Sequence, residues 1–335
     1  VITDALQRPL HDLRISVTDR CNFRCVYCMP KEVFGRDFAF MPRAQLLTFE
    51  EIARLTRLLA VLGVEKARIT GGEPLLRRDL EELIAMIAAI DGIRDLTLTT
   101  NGSLLTPEKA RALFEAGLRR ITISLDSLDD VVFRRMNDVN FPVAVVLRAI
   151  ENAERAGLRP IKIDMVVRRG MNERSVVDMA RRFRGTGHIV RFIEYMDVGT
   201  MNGWRLQDVV SGTEIREMIG RHWPLEQVDA NYHGEVAQRW RYADGAGEIG
   251  LITSVTEPFC GNCTRLRLSA DGEIFTCLFA DHGYSVRESL RNGTSDEELS
   301  AVLSRLWSAR RDRYSEVRSE ETAGLKKVEM YHIGG

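Results

Sequence analysis

At 335 residues, 44% hydrophobic and 28% charged, the chain has the composition of a globular protein with a sizeable core. A formal net charge of -1 excludes the global basic field that drives non-specific nucleic-acid or membrane binding, so any anion recognition must be local. No apolar run approaches the roughly eighteen residues of a bilayer span, and VITDALQRPL lacks the order of a signal peptide, which predicts a cytoplasmic protein with no nucleic-acid or membrane partner.

Between residues 13 and 196 one unit recurs: a short β-branched run, a loop, an amphipathic helix and a glycine. The runs are LRISVT, KARIT, DLTLTT, RITISL, PIKIDMVV and HIVRFIEYM, each of strand length. Thr48 and Glu51 form a capping box ahead of EEIARLTRLLAVLG, and Thr106-Pro107 opens PEKARALFEAG. On its plainest reading GGEP is an ordinary turn before Asp79 caps the next helix. Gly63, Gly117, Gly157 and Gly187 follow helical segments, where a left-handed C-cap favours glycine. Strand, helix, strand with short links implies right-handed crossovers and a parallel sheet.

Six such units fit an incomplete (β/α)6 TIM-like barrel, although a doubly wound open sheet has much the same periodicity. The loops favour the barrel. The cysteine loop, GGEP (71–74), TTNG (99–102) and SLDS (124–127) each follow a strand, and barrel enzymes assemble their sites at C-terminal strand ends. After about residue 200 the rhythm breaks. NYHGEVAQRWRYADGAGEIG reads as an irregular hairpin, and a helical segment runs from about Asp296 to Arg313. The expectation is a partial barrel over 1–200 and a C-terminal accessory region over 201–335, with no internal repeat beyond the βα unit.

The six cysteines form two triplets: Cys21, Cys25 and Cys28 in CNFRCVYCMP, then Cys260, Cys263 and Cys277 in PFCGNCTRLRLSADGEIFTC. Disulfides need pairs, whereas two triplets suggest two metal sites with three protein ligands each. A structural zinc normally takes four ligands, so a site with three keeps one position open for chemistry. Zinc knuckles completed by His11 at the first triplet, or by His282 or His233 at the second, are the plainer alternatives. Arg265 and Arg267 lie on one face of an extended segment beside the second triplet, which suits an anionic ligand better than a structural knot.

C-x3-C-x2-C after a first strand, with Tyr27 before the last cysteine, resembles the signature of radical S-adenosylmethionine (SAM) enzymes. The resemblance implies a [4Fe-4S] cluster on Cys21, Cys25 and Cys28 whose open iron binds SAM, with Tyr27, Gly72, Ser124 and Met196 around SAM. Gly71 and Gly72 would let backbone approach that ligand closely. Ser124 alternates with Ile123 and Leu125 and so faces the barrel interior.

With the second triplet, KARITGGEPLLRRD, TTNG, ISLDSL, RFIEYM, CTRLRLSADG and the terminal Gly334-Gly335, the chain resembles the radical SAM family that cyclises GTP in molybdenum cofactor biosynthesis. That resemblance implies a second [4Fe-4S] cluster on Cys260, Cys263 and Cys277, with the purine of GTP at its open iron. It implies GTP contacts at Arg14, Arg68, Thr99, Lys162, Arg191, Arg265, Leu266 and Arg267, with Arg14, Arg265, Arg267, Gly334 and Gly335 needed for activity. The expected chemistry is abstraction of the ribose 3' hydrogen by a 5'-deoxyadenosyl radical, then attack on guanine C8. Expected partners are cyclic pyranopterin monophosphate synthase downstream, a flavodoxin or ferredoxin as electron donor, and a second copy in a homodimer. Other arginines, including Arg77, Arg181 and Arg310, read as solvated charges. The rival functions are a radical SAM peptide-modifying maturase and a non-enzymatic iron–sulfur or zinc redox sensor.

Overall fold

The computed structural model describes residues 1–35, 37–319, 322 and 324–335. Six βα units follow one another: β1 (Asp12–Ser16), α1 (Phe49–Leu62), β2 (Lys66–Thr70), α2 (Leu80–Ala88), β3 (Asp95–Thr100), α3 (Pro107–Glu115), β4 (Arg120–Ser124), α4 (Asp130–Asn137), α5 (Val143–Arg155), β5 (Ile161–Val167), α6 (Val176–Phe183) and β6 (Ile189–Glu194). The predicted capping box is present, since Thr48 accepts from the Glu51 amide and Glu51 accepts from that of Thr48. Thr106 likewise caps α3 with proline at the first position. Asp79 does not cap α2. It sits in the left-handed region with no side-chain bond, while Glu73 in GGEP takes the Leu75 amide instead.

The chain continues through α7 (Gly212–Gly220), β7 (Leu225–Val228), β8 (Gln238–Tyr242), β9 (Glu248–Ile252), β10 (Arg265–Leu268), β11 (Glu273–Phe275), β12 (Tyr284–Ser285), α8 (Arg287–Arg291) and α9 (Asp296–Ser308). α9 stops at Ser308, short of the Arg313 expected from its pattern. β8 and β9 form the hairpin expected around residues 231–250. These late strands join the same sheet, whose order is β12-β11-β10-β1-β2-β3-β4-β5-β6-β9-β8-β7. β10 lies parallel to β1 and β9 parallel to β6, so the six-strand arc becomes eight parallel strands.

Alternation along these strands sets the layers. Leu13 and Ile15, Ala67 and Ile69, Leu96 and Leu98, Ile121 and Ile123, Val190 and Phe192 are all buried beneath the helices. The intervening residues, Arg14, Arg68, Thr99, Ser124, Asp164 and Arg191, face the other way and line one cavity, joined by Ile252 of β9 and Arg265 and Arg267 of β10. A flat doubly wound sheet cannot wrap one face around a single space, so the sheet is a curved, incomplete barrel. No helix among the described residues is long and apolar enough to cross a membrane.

Candidate active site

The cysteine loop leaves the end of β1 and is pinned from both sides. Phe23 is buried against Phe133 and Phe141, and Arg24 donates to the carbonyls of Cys21 and Phe34. Amides of Cys28 and Met29 both donate to the Cys25 carbonyl at 2.9 Å, which turns Cys28 back toward the barrel mouth. All three thiols open onto the cavity. Burial pushes the Cys21 thiol up to about 12 and raises those of Cys25 and Cys28 as well, so this pocket favours neutral thiols until a cation binds them.

GGEP packs beside it for a reason that differs from expectation. The Gly72 amide donates to the Thr18 carbonyl and the Glu73 amide to that of Arg20, both at 2.7 Å. A Cβ on Gly72 would collide with the Arg20 carbonyl, and one on Gly71 would stand 2.6 Å from that of Thr18. The glycines are therefore required by the chain leading into the cysteine loop, while still lining the cavity. Buried Glu73, raised to about 7 by desolvation, accepts from Thr100 Oγ1 at 2.6 Å and the Asn101 amide at 2.7 Å. It ties GGEP to TTNG. Asn101 in turn lies 3.9 Å from Cys21 Sγ. Tyr27 donates to Asp126 at 3.0 Å, and Tyr27, Ser124 and Met196 all line the cavity. Glu73, Asn101 and Asp126 lie within GGEP, TTNG and SLDS, but the motifs alone assigned them no role, because each acts through a neighbour.

The second triplet is built by a hairpin. Antiparallel pairing of β10 with β11 returns the chain, so Cys277 comes back beside Cys263, and a 3-10 turn supplies Cys260. Arg265 donates to Cys263 Sγ from Nε at 3.2 Å and Nη2 at 3.0 Å. Burial raises this thiol, but Arg265 and Arg310 overcome it and bring it down to about 6; burial holds Cys277 up at about 11. Arg310 is not a solvated charge: it is 4% exposed, and its Nη2 lies 3.0 Å from Cys263 Sγ. Arg77 is half-buried and donates to the carbonyls of Val17 and Leu47, whereas Arg181 is solvated as expected and pairs with Asp178.

Both triplets open onto one cavity, continuous with solvent. A single zinc would draw its sulfurs to about 3.8 Å from one another, given Zn–S bonds of about 2.3 Å. Neither triplet brings its three sulfurs within 4.8 Å of one another. His11 stacks on Tyr232 and bonds Asp12, His282 projects into solvent against Asp281, and His233 is exposed, so none completes a zinc site. Three wider-set thiols with no fourth protein ligand among the described residues suit a cubic cluster instead.

Between the triplets stands a row of cations. Register places Arg14 beside Arg267 on one side and Arg68 on the other. Arg14, Arg68 and Lys162 have no hydrogen bond or ion pair to any described residue. Burial and the neighbouring guanidinium groups hold Arg14 well below the usual arginine range, Arg68 at about 10 and Lys162 at about 7. The Thr99 hydroxyl is buried without a partner among the described residues. Such a surface is costly unless an anion covers it. Arg191 differs, being held by Asp164 at 2.6 and 2.7 Å. Leu266 also differs, because alternation turns its side chain into the core. Lys66, which motif reading missed, is buried beside Lys162 in a smaller adjoining recess and bonds Tyr232.

The C-terminus ends inside this cavity. The short helix Met330–Ile333 leads to Gly334, whose carbonyl accepts from Arg267, and Gly335 lines the cavity wall. Gly334 has φ +74 and a Cβ there would strike Thr70, so no other residue fits without displacement.

Residues 15–183 match the model of the Radical SAM superfamily, and residues 188–316 match that of Molybdenum Cofactor Synthesis C. A protein of Acidothermus cellulolyticus named GTP 3',8-cyclase is 52% identical over 100% of this chain and 99% of its own length. One of Xanthomonas axonopodis pv. citri with the same name is 52% identical over 99% and 98%. Among solved structures, Streptococcus suis SuiB bound to S-adenosylmethionine superposes with TM-score 0.62 at 14% identity, covering 88% of this chain and 68% of that one, which supports the fold.

Proposed function

The chain belongs to the GTP 3',8-cyclase family of radical SAM enzymes, and from that premise we propose how its residues divide the work. It converts GTP to 3',8-cyclo-7,8-dihydro-GTP, the first step of molybdenum cofactor biosynthesis. SAM and an iron–sulfur cluster, when bound, supply the 5'-deoxyadenosyl radical that removes the ribose 3' hydrogen before the sugar carbon closes onto C8.

The residue roles are carried by one observation: both thiol triplets, the unpaired Arg14 and Arg68, and Gly335 line the same cavity, with Lys162 in the recess that adjoins it. Cys21, Cys25 and Cys28 hold the cluster that meets SAM, with Gly72, Tyr27, Ser124 and Met196 shaping that subsite. Cys260, Cys263 and Cys277 hold a second [4Fe-4S] cluster at the purine. Arg14, Arg68, Lys162 and Arg267 neutralise the triphosphate, and the free Thr99 hydroxyl gives a neutral contact. Arg265 serves the Cys263 sulfur as well as the substrate. Leu266 can contribute only through its backbone, and Arg191, already held by Asp164, is the weaker phosphate contact. Gly334 and Gly335 position Arg267 and close the cavity wall.

The division at about residue 200 is one of function: 1–200 carries the SAM half and 201–335 the second cluster, within one sheet. By family likeness the enzyme works in the cytoplasm as a homodimer. It takes electrons from a flavodoxin or ferredoxin and passes its labile product to cyclic pyranopterin monophosphate synthase.

The test is 5'-deoxyadenosine release by anaerobically reconstituted protein with SAM and dithionite, comparing GTP, ATP and no nucleotide. Release stimulated by GTP alone, with a cyclised guanosine product, supports this reading. SAM cleavage indifferent to nucleotide points to a maturase-like substrate, and none at all to a sensor.

A further inference from the structure

We infer that Arg310 is a positioning residue of the second triplet, donating from behind to the Cys263 sulfur and setting the electron affinity of the cluster that this sulfur ligates. The inference rests on the proposal that Cys260, Cys263 and Cys277 hold a [4Fe-4S] cluster.

The guanidinium is fixed from every side. Nη1 donates to the Cys263 carbonyl at 2.7 Å while Nη2 lies 3.0 Å from Sγ of the same residue. Asp4 stands 3.5 Å from Nη1 and Asp312 3.3 Å from Nε. Trp307 lies beneath, 4.6 Å from ring centroid to the guanidinium carbon. Asp4 is itself clamped by buried Arg8, which also donates to the carbonyls of Cys260 at 2.8 Å and Asp312 at 2.7 Å. The start of the chain and the segment after α9 thus meet underneath the triplet. Arg8 reaches the Cys260 carbonyl, and Arg310 alone of the two reaches a sulfur.

A ligating thiolate keeps lone pairs for N–H donors, and each donor draws electron density off the iron and favours the reduced cluster. Cys263 receives such bonds from two cations, Arg265 and Arg310. The first triplet is dressed differently. Cys21 Sγ accepts only neutral donors, the Phe23 amide at 3.4 Å and Asn101 at 3.9 Å, and no guanidinium among the described residues donates to its three sulfurs. The carboxyls of Glu73 and Asp126 stand near Cys21 and Cys25 instead. The two clusters are therefore electronically unequal, the second reduced at the more positive potential, and Arg310 holds that inequality whether or not nucleotide is present.

The experiment is an anaerobic redox titration followed by electron paramagnetic resonance on the reconstituted full-length protein, comparing wild type with Arg310→Met, Arg310→Gln and Arg310→Lys. The cluster whose signal changes on adding SAM is assigned as the first, and the one that responds to GTP as the second. The expected result is a negative shift of the second midpoint in Arg310→Met and a smaller one in Arg310→Lys and Arg310→Gln, which keep an N–H donor. The first midpoint stays in place throughout. If Arg310→Met loses half its iron, the lysine and glutamine variants carry the reading. Unmoved second midpoints in variants with full iron content would overturn the inference, as would equal shifts of both clusters. Wild-type protein with iron for one cluster alone would overturn the cluster assignment beneath it, a separate result visible before any variant is made.

Discussion

Replacing Arg14 by methionine should make the GTP-free enzyme more stable while costing it its substrate. Arg14 lies in register between Arg267 and Arg68, on the cavity face, with no described residue to neutralise it. Two guanidinium charges about 6 Å apart repel by about 3 kcal/mol at an effective dielectric near 20. Two such neighbours and the access of solvent to the cavity leave a net relief of about 2 kcal/mol, since methionine fills a similar length of wall without charge. The melting temperature of the cluster-loaded, nucleotide-free protein should rise by about 2–5 °C. GTP binding should weaken about 10–100-fold, the value of one charge-assisted bond of about 1.5–3 kcal/mol. The assay is anaerobic thermal unfolding with and without GTP, at low and high salt, with high salt narrowing the difference between the GTP-free proteins. An Arg14→Met variant that melts at or below wild type without GTP, or gains as much from GTP, would refute the reasoning.

Gly334→Ala should expel the tail, since the left-handed backbone costs alanine about 1–2 kcal/mol before the collision with Thr70 is counted. Product formation should fall at least about 10-fold with iron content unchanged, and removal of Gly334 and Gly335 should abolish it; normal turnover by either form would remove the tail from the mechanism. Cys277→Ala should lower iron from about eight to about four per chain while SAM still perturbs the remaining cluster's spectrum. Burial raises the Asp126 carboxyl to about 7, against the hydrogen bonds from Val166 and Tyr27. A value raised on folding stabilises the protein fully below the unfolded value, and that contribution is lost as pH rises through about 7. Denaturation midpoints of wild type should therefore fall from pH 5.5 to pH 8 more steeply than those of Asp126→Asn, with Glu73 leaving some slope in both. Parallel profiles would contradict the assignment.

The six-strand arc was legible because alternation and capping are local: KARIT and DLTLTT carry their apolar face, their polar face and their boundaries within a few residues. Arg14 and Arg68 could be placed in strands from the same pattern, and Cys21, Cys25 and Cys28 from spacing alone. The flanking strands were not legible. β10 is four residues long, and its partner β1 lies some 250 positions away, so nothing local announces that RLRL extends the barrel. Arg310 was missed for the same reason. An arginine just after an amphipathic helix has the signature of a solvated C-terminus, and its burial comes from Asp4, Trp307 and Cys263, which only the tertiary fold assembles. Gly72 shows a subtler limit: the sequence marked a close approach there, but not whether chain or ligand made it.

The pairing of β10 with β1 also fixes an order of events during synthesis. The first cysteine loop, GGEP and TTNG leave the ribosome early, yet β6 keeps a bare edge until residues 248–252 emerge, and β1 keeps one until 265–268 follow. Growing chains thus expose the β1 edge beside the first cysteine loop for most of translation, and the β6 edge for a shorter stretch, the circumstance that invites aggregation. The support beneath Cys263 arrives later still, with Arg310. Until then the second triplet lacks the cation that backs its Cys263 sulfur, so of the two triplets this one is completed last.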